Sequence, residues 1–533
     1  MSLTYPFAAH LYQALGVLLI VCIAFVLTRS RQRYPPGPPG DFFFGHLFEF
    51  KTGGPRFSQL RAWHEKYGPL FTLRMGWNFP LFVIGGDGEL VRELLDKRGA
   101  IYSQRPLMYR HLLMDKFESP LWERNWARWR MNRRLLVQRF RPMTAASTQE
   151  HQIPVIEAES TQLLNDLLSE PEQLTEHPMR FASSVMTSLV YGIRGPKYDC
   201  FSVSATYKIM TNAILFTMPP LDKLSILRLL PDFLWPWRKS FSALADLRDT
   251  LHEDLAHRSK DRFQQGLNPE TLAEDLWSSQ EKLDLSDRRI HRLLGLAHEG
   301  GADPVAFAIL SGIMALVNHP RVMRKAQEEI DSVCDEGTMP QWSDYDRLPY
   351  VRMIIKETFR WRPPFPWGVV HELSENDEWG GYHLPKGSTV ILNIWEIHMN
   401  PRRYANPEEF IPERFEEFPL PTTDYVSSPD YMSRDVYTFG AGRRVCPGSH
   451  IAEMDLFLAL SKIIWAFDLA TPDGKPLNAD PVTAFKGHNL REPVPFKVNF
   501  TPRGEVRRSI IARELATAEE IIFSRFGCSP ESR

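Results

Sequence analysis

Cysteine is scarce in this chain of 533 residues: the five present are Cys22, Cys200, Cys334, Cys446 and Cys528, and no two form a C-x-x-C pair. That spacing excludes a disulfide framework and a structural zinc ribbon, and it suits a reducing compartment. Net charge is also missing. Sixty-three basic side chains face 65 acidic ones, for a formal charge of −2, so no global field favours nucleic acid and any basic patch has to be local. A dinucleotide-binding loop is absent, because Gly440-x-Gly442-x-x-Val445 lacks the third glycine. His252-Glu-Asp-Leu-Ala-His257 is not a zinc-protease helix either, since histidines five apart point to different faces. No internal repeat or low-complexity tract divides the stretch from 41 to 503.

What remains is the balance of a folded protein, 43% hydrophobic and 24% charged, with length for a large core. Leu11 to Thr28 is apolar apart from Gln13, and at about 1.5 Å per residue it approaches the ~30 Å of a bilayer core. Arg29, Arg31 and Arg33 follow it directly while the first ten residues carry no Lys or Arg, so the positive-inside rule leaves residues 1–10 lumenal and everything downstream cytosolic. A cleaved signal peptide would begin with a basic region and end at small residues, and this segment does neither. Residues 29–40 continue as a basic, proline-rich hinge, Pro35-Pro36-Gly37-Pro38-Pro39-Gly40, whose fixed φ angles favour an extended spacer.

Beyond the hinge, Leu81-Phe82-Val83-Ile84 reads as a strand closed by a turn at Gly85-Gly86-Asp87-Gly88. Arg324–Val333 and Tyr350–Phe359 repeat apolar residues at helical spacing. The expectation is a mainly α fold with small β-sheets, forming one large domain over 41–503. The tail 504–533 carries Ile510, Ile511, Leu515, Ile521 and Ile522 and reads as an added helix.

The stretch Tyr437-Thr-Phe-Gly-Ala-Gly-Arg-Arg-Val-Cys446-Pro-Gly fits F-x-x-G-x-R-x-C-x-G through Phe439, Gly442, Arg444, Cys446 and Gly448. At about one in twenty per position, such a match arises by chance on the order of once in ten thousand chains of this length. A thiolate ligand donates electron density that favours O–O cleavage, and it survives only where water is excluded and backbone N–H groups stabilise the sulfur. With this loop the sequence resembles the cytochrome P450 superfamily over nearly the whole chain, as far as about Arg503. The resemblance implies haem b bound through Cys446, with Phe439 shielding the sulfur.

Further motifs follow in family order. Glu357-Thr-Phe-Arg360 fits E-x-x-R, and Pro412-Glu413-Arg414-Phe415 matches the loop whose arginine joins it in a buried structural network. Trp126-x-x-x-Arg130 and Trp129-x-x-x-Arg133 both fit W-x-x-x-R; the second register is favoured, which implies that Trp129 and Arg133 hold a haem propionate. Arg444 and His371 match two more propionate contacts. Arg128, Arg134, Arg139 and Arg141 read as a solvated basic face suited to an acidic redox partner.

At Glu299-Gly300-Gly301-Ala302-Asp303-Pro304-Val305 the chain departs from the family pattern, holding proline where a threonine hydroxyl is expected, with no Ser or Thr before Ser311. A proline within a helix kinks it and removes the bond to the carbonyl four residues back, that of Gly300. Proton delivery is therefore expected from a water chain involving Gly300 and Asp303, or from a substrate hydroxyl.

The resemblance implies a membrane-anchored monooxygenase of the endoplasmic reticulum, single-pass and with a cytosolic catalytic domain. It would oxidise a lipophilic small molecule with O2 and electrons from an NADPH-cytochrome P450 reductase, similar to enzymes of fungal specialised metabolism. The alternatives are a reductase-independent haem-thiolate isomerase, dehydratase or peroxygenase, motivated by Pro304, and a haem-based sensor without turnover. Segments around Ser103–Leu113, Met210–Leu221 and Phe365–Val370 are expected to line an apolar substrate pocket.

Overall fold

A computed structural model of the chain describes residues 33–41, 44–46, 57–75, 79–115, 118–140, 148–215, 237–267, 270–487 and 489–531, with a few isolated positions besides. The expected transmembrane segment and the first residues of the hinge lie almost wholly outside the described residues.

The body is helical, as the periodicities imply. Helix α1 (Trp126–Arg139) starts where Asn125 Oδ1 accepts from the N–H groups of Ala127 and Arg128, each at 3.0 Å, which satisfies donors that no preceding turn can reach. It is followed by α2 (Ile153–Ser169), α3 (Glu176–Tyr191), α4 (Phe201–Leu215) and α5 (Trp237–Gln264). Next come α6 (Asp287–Gly301), α7 (Asp303–Asn318), α8 (Pro349–Trp361) and α9 (Ser449–Ala466). α7 is apolar on nearly every side, and α9 buries even its charged Glu453, Asp455 and Lys462, so neither helix has a face for water. The two pack against each other, with α2, α3 and α8 around them. Asp287–Asn318 is long and apolar enough to cross a membrane, but it is mostly buried inside the protein as a core element.

The main sheet has four strands. β1 (Leu70–Met75) and β2 (Phe79–Ile84) are antiparallel; β3 (His371–Glu372) and β4 (Thr389–Leu392) complete it in the order β1-β2-β4-β3. β2 and β4 run parallel with Leu81 opposite Thr389, and β3 opposes β4 with His371 across from Val390. The expected strand at Leu81 to Ile84 is thus β2, fully buried from Leu81 onward. A separate two-stranded hairpin, β5 (Phe485–Lys486) and β6 (Glu492–Pro493), lies against α7.

The described part of the proline run is extended and docked. Thr72 donates from its N–H to the Pro36 carbonyl at 2.9 Å and from Oγ1 to the Pro35 carbonyl at 2.7 Å. A side chain at Gly37 would collide with the Thr72 carbonyl, its Cβ only 2.0 Å away. These residues therefore fix the entry of the chain onto β1.

The tail is a helix, α10 (Glu505–Ile521), as its apolar residues imply. It packs on α2, burying Ile510, Ile511 and Ala518. Gly527–Cys528 then pairs in parallel with Ile193–Arg194 at the end of α3.

Candidate active site

Cys446 sits in a loop that its own backbone closes. Its N–H donates to the Phe439 carbonyl at 2.9 Å, and the N–H of Gly440 donates to the Tyr437 carbonyl at 2.9 Å. Gly442 has a left-handed φ of 66°, and a Cβ there would lie 2.2 Å from the Leu95 carbonyl, so only glycine fits. Phe439 packs edge-on against Phe359 of α8, ring centres 5.0 Å apart. The Cys446 side chain is exposed, while the protein around it raises the thiol pKa; a backbone contact with Gly448 and the Arg133 guanidinium act in the opposite direction.

Beneath the loop lies the expected ion network. Arg360 Nε and Nη2 donate to the two oxygens of Glu357 at 2.6 and 2.7 Å, and Arg414 Nε donates to Oε1 at 3.1 Å. Glu357 and Arg360 are completely buried, and Arg360 also donates to the carbonyls of His398, Pro407 and Glu409. Such satisfaction is what makes buried charge tolerable. His398, on the short helix Ile394–His398, joins this network to the cysteine loop: its ring bonds the Arg360 carbonyl on one side and accepts from the Tyr437 N–H on the other.

The predicted propionate residues converge. Arg133 Nη1 donates to the carbonyl of Val445, next to Cys446, at 2.7 Å. Arg444 lies over Trp129, its guanidinium carbon 4.7 Å from the ring centre, and donates to the carbonyls of Ser103 and Glu123. Trp126 also lies beside Arg443 and Arg444, so the two registers differ in their arginines: Arg130 is exposed, whereas Arg133 reaches the loop. His371 bonds the Tyr102 carbonyl through Nδ1 at 2.8 Å. Burial and then Arg105 hold its pKa well below the usual imidazole value.

Arg105 is the residue that sequence reasoning missed. It is buried, donates through Nη1 to the carbonyls of Val369 and Val370, and leaves Nε without a partner. Burial and the nearby Arg444 charge push its pKa far down. A buried guanidinium facing another cation, with an orphaned donor, is costly unless an anion arrives. Two haem propionates meet that requirement, so the residues present fit the group that Cys446 implies. Of the expected basic face, Arg128 and Arg134 are exposed, whereas the Arg139 side chain is mostly covered and pairs with Asp275; Arg141 is outside the described residues.

On the distal side the expected kink is a break. α6 stops at Gly301, Ala302 turns with φ −83° and ψ −84°, and α7 begins at Asp303. Pro304 falls in the first turn of α7, where a missing N–H is tolerated. A Cβ on Gly301 would strike the Met186 sulfur at 2.6 Å, while Gly300 is exposed and faces open space. Ser311 donates to the Phe307 carbonyl at 2.8 Å and is committed to its own helix.

Two acids flank the break with opposite ionisation. Glu299 is clamped by Arg248 at 2.7 and 2.8 Å and approached by His252 at 3.1 Å, and these partners overcome burial to hold it ionised. Asp303 is 2% exposed and Oδ2 has no partner. Burial first, then the carboxylates of Glu492 and Glu299, push its pKa up to about 8. Near neutral pH Asp303 therefore carries a proton that it can donate. Sequence alone could not assign these roles, because they come from partners 51 and 189 residues away.

A family model described as Cytochrome P450 matches residues 35–500. The chain is 35% identical over 538 residues to Cytochrome P450 monooxygenase yanC of Aspergillus niger, covering 96% of this chain and 98% of that one. It is 35% identical over 527 residues to Cytochrome P450 monooxygenase patH of Penicillium expansum, covering 98% and 99%. It is also 35% identical over 521 residues to Cytochrome P450 monooxygenase atE of Aspergillus terreus, covering 95% and 94%.

Proposed function

The chain belongs to the cytochrome P450 family and is a monooxygenase with a haem cofactor, and from that premise we propose that it is anchored in the endoplasmic reticulum membrane and draws electrons from an NADPH-dependent reductase to oxidise a lipophilic small molecule of fungal specialised metabolism. The observation that carries the oxygen chemistry is Asp303, a buried acid with an unpartnered Oδ2, next in the chain to the helix break at Ala302.

Bound haem, ligated by the Cys446 thiolate, would supply the redox chemistry, placing one atom of O2 in the substrate and releasing the other as water. Arg105, Arg133, Arg444 and His371 would hold the propionates. Burial and then the Arg105 and Arg444 charges hold the His371 pKa down, and a bound anion would offset the part that comes from those charges. Phe439 and Phe359 give the cysteine loop an apolar wall. Asp303 holds the proton for the distal side, Pro304 supplies no hydroxyl, and the Gly300 carbonyl, which cannot receive a bond from Pro304, is available to position water.

Exposed Arg128, Arg130 and Arg134 on α1 support docking of an acidic reductase. The apolar run Leu11 to Thr28 and the arginines after it support the single anchor. The absent hydroxyl at Pro304 favours a second reading, turnover without a reductase. Membranes from a host expressing the chain with a reductase distinguish the two: NADPH-dependent product formation, together with a red-shifted Soret band of the reduced carbon monoxide complex that disappears in Cys446→Ala, is expected. Product formed at full rate without NADPH would reverse the order of the readings.

A further inference from the structure

Trp395 holds a buried indole N–H without an acceptor, and Arg362 holds another at Nε. Both side chains are buried, and they line one hollow together with Arg491, Phe57, Phe485 and three prolines. It has room for a water-sized guest. Distant parts of the chain meet there: the helix Phe57–Tyr67, the end of α8, the short helix Ile394–His398 and the β5–β6 hairpin. Phe57 stacks on Trp395 with ring centres 4.7 Å apart. The N–H groups of Trp395 and Arg491 donate to the carbonyls of Pro366 and Pro364 at 3.0 and 2.8 Å, so backbone as well as packing holds the wall. None of the propionate residues Arg105, Arg133, His371 and Arg444 lines this hollow.

What the wall offers is one-sided. Arginine and tryptophan side chains only donate, and phenylalanine and proline side chains neither donate nor accept. The guanidiniums already engage the carbonyls close to them: Arg362 donates to those of Trp361 and Ala479 at 2.7 and 2.6 Å, and Arg491 to those of Pro481 and Phe485 at 2.6 and 2.9 Å and to that of Gly487. A water in the hollow would meet donors but no side-chain acceptor for its own hydrogens, whereas an anion only accepts.

Charge points the same way. Among the described residues neither Arg362 nor Arg491 forms an ion pair. The carboxylates that act on Arg362 are committed elsewhere: Glu408 to Arg61 at 2.8 Å, Glu357 to Arg360, and Asp480 to the N–H groups of Val482 and Thr483. Burial pushes the pKa of Arg362 down to about 9 and that of Arg491 down to about 10, as it does for cations short of a counter-charge. We infer that the hollow is an anion site, in which Arg362 Nε and Trp395 Nε1 donate to one acceptor atom and Arg491 supplies a second positive charge. The guest is a halide, or one oxygen of a carboxylate or phosphate whose remainder lies outside the hollow. Pro363 and Pro366 lead into Val369 and Val370, whose carbonyls receive Arg105, so a filled hollow braces the stretch that holds this cation.

The test follows the thermal midpoint of the full-length holoenzyme while chloride, acetate or inorganic phosphate is added in separate titrations. At least one should raise Tm saturably, by about 2 °C or more, because an anion that binds only the folded state stabilises it. Trp395→Phe removes one N–H and no charge, and Arg362→Lys keeps the charge but loses the donor at Nε. Both variants feel ionic screening as the wild type does, so a response that shrinks by about half or more in them reports a bound anion. A larger effect of chloride identifies a halide, and a larger effect of acetate or phosphate identifies an oxyanion. If Arg362→Lys yields no folded holoenzyme, Trp395→Phe carries the same comparison. No saturable response in the wild type, or an equal one in Trp395→Phe, overturns the site and leaves the hollow to water.

Discussion

The backbone N–H of Tyr437 donates to Nε2 of His398 at 2.8 Å, while Nδ1 of the same ring bonds the Arg360 carbonyl at 3.0 Å. The first bond makes Nε2 an acceptor and the second makes Nδ1 the protonated nitrogen, so a single neutral tautomer ties the Glu357–Arg360 network to the start of the cysteine loop.

His398→Ala should therefore strand a buried N–H and a buried carbonyl, at a cost of about 1–3 kcal/mol for each group left without a partner. The measurement is the denaturant midpoint at constant slope, together with haem content. The pH dependence has a definite sign. Burial holds the His398 pKa well below the usual imidazole value, so the unfolded chain binds the proton more readily. Stability is then present above the ordinary imidazole range and lost as pH falls through it.

Arg360→Ala and Glu357→Ala should each abolish haem-loaded protein. Both side chains are fully buried; truncating Glu357 leaves the Arg360 charge uncompensated and truncating Arg360 leaves Glu357 with the Arg414 charge alone, the kind of loss that costs roughly 3 to 5 kcal/mol. Pigment content per milligram of purified protein reads this out. Normal content in either variant would contradict the structural role of the pair.

The parts of this site that could be read in the sequence are those held by adjacent residues. The loop from Phe439 to Gly448 is contiguous, so its glycines, arginine and cysteine keep their spacing in any fold. Glu357 and Arg360 are one helical turn apart and needed only their order along the chain to be chosen over similar pairs. Pro304 was legible as a local break, although the structure makes it a helix start instead of a kink. Arg105 lies in a segment expected to be apolar pocket lining, and its one signal was a cation in such a stretch. His398 stood in the run Asn393 to His398 that resembles fungal enzymes, but neither its bridging role nor that of Glu492 was legible, because a neutral bridging imidazole and a buried carboxylate are defined by partners 38 to 285 residues away.

Membrane attachment should depend on residues up to Thr28. Among the described residues only Asp287–Asn318 is otherwise long and apolar enough, and it is buried in the core. Removing residues 1 to 30 is expected to release the protein from membranes on washing, and Thr72 should still hold Pro35 and Pro36 on β1. A truncated protein that still required detergent would reveal a second membrane contact.

Asp303 and Pro304 make opposite predictions under the two sources of protons. If Asp303 is the donor, Asp303→Asn should slow product formation by roughly a hundredfold or more, the size of a lost general acid. Wild-type activity should decline as pH rises past about 8, where the raised pKa places deprotonation. The linkage sign follows from the same shift: the folded state binds this proton more tightly than the unfolded one, so the Asp303 contribution to stability falls as pH rises from the ordinary carboxyl range to about 8, and Asp303→Asn should remove that slope. Pro304→Thr should keep activity, because the first turn of α7 accepts either residue, and the added hydroxyl should lower the share of NADPH lost to peroxide. If a substrate hydroxyl supplies the proton instead, Asp303→Asn should leave product formation nearly unchanged, whereas a deoxy analogue should bind and waste NADPH as peroxide. The variants measured for product, peroxide and NADPH across pH 6 to about 9, a window bracketing the Asp303 midpoint, decide between the two, because only the Asp303 route couples the loss of rate to the loss of the stability slope.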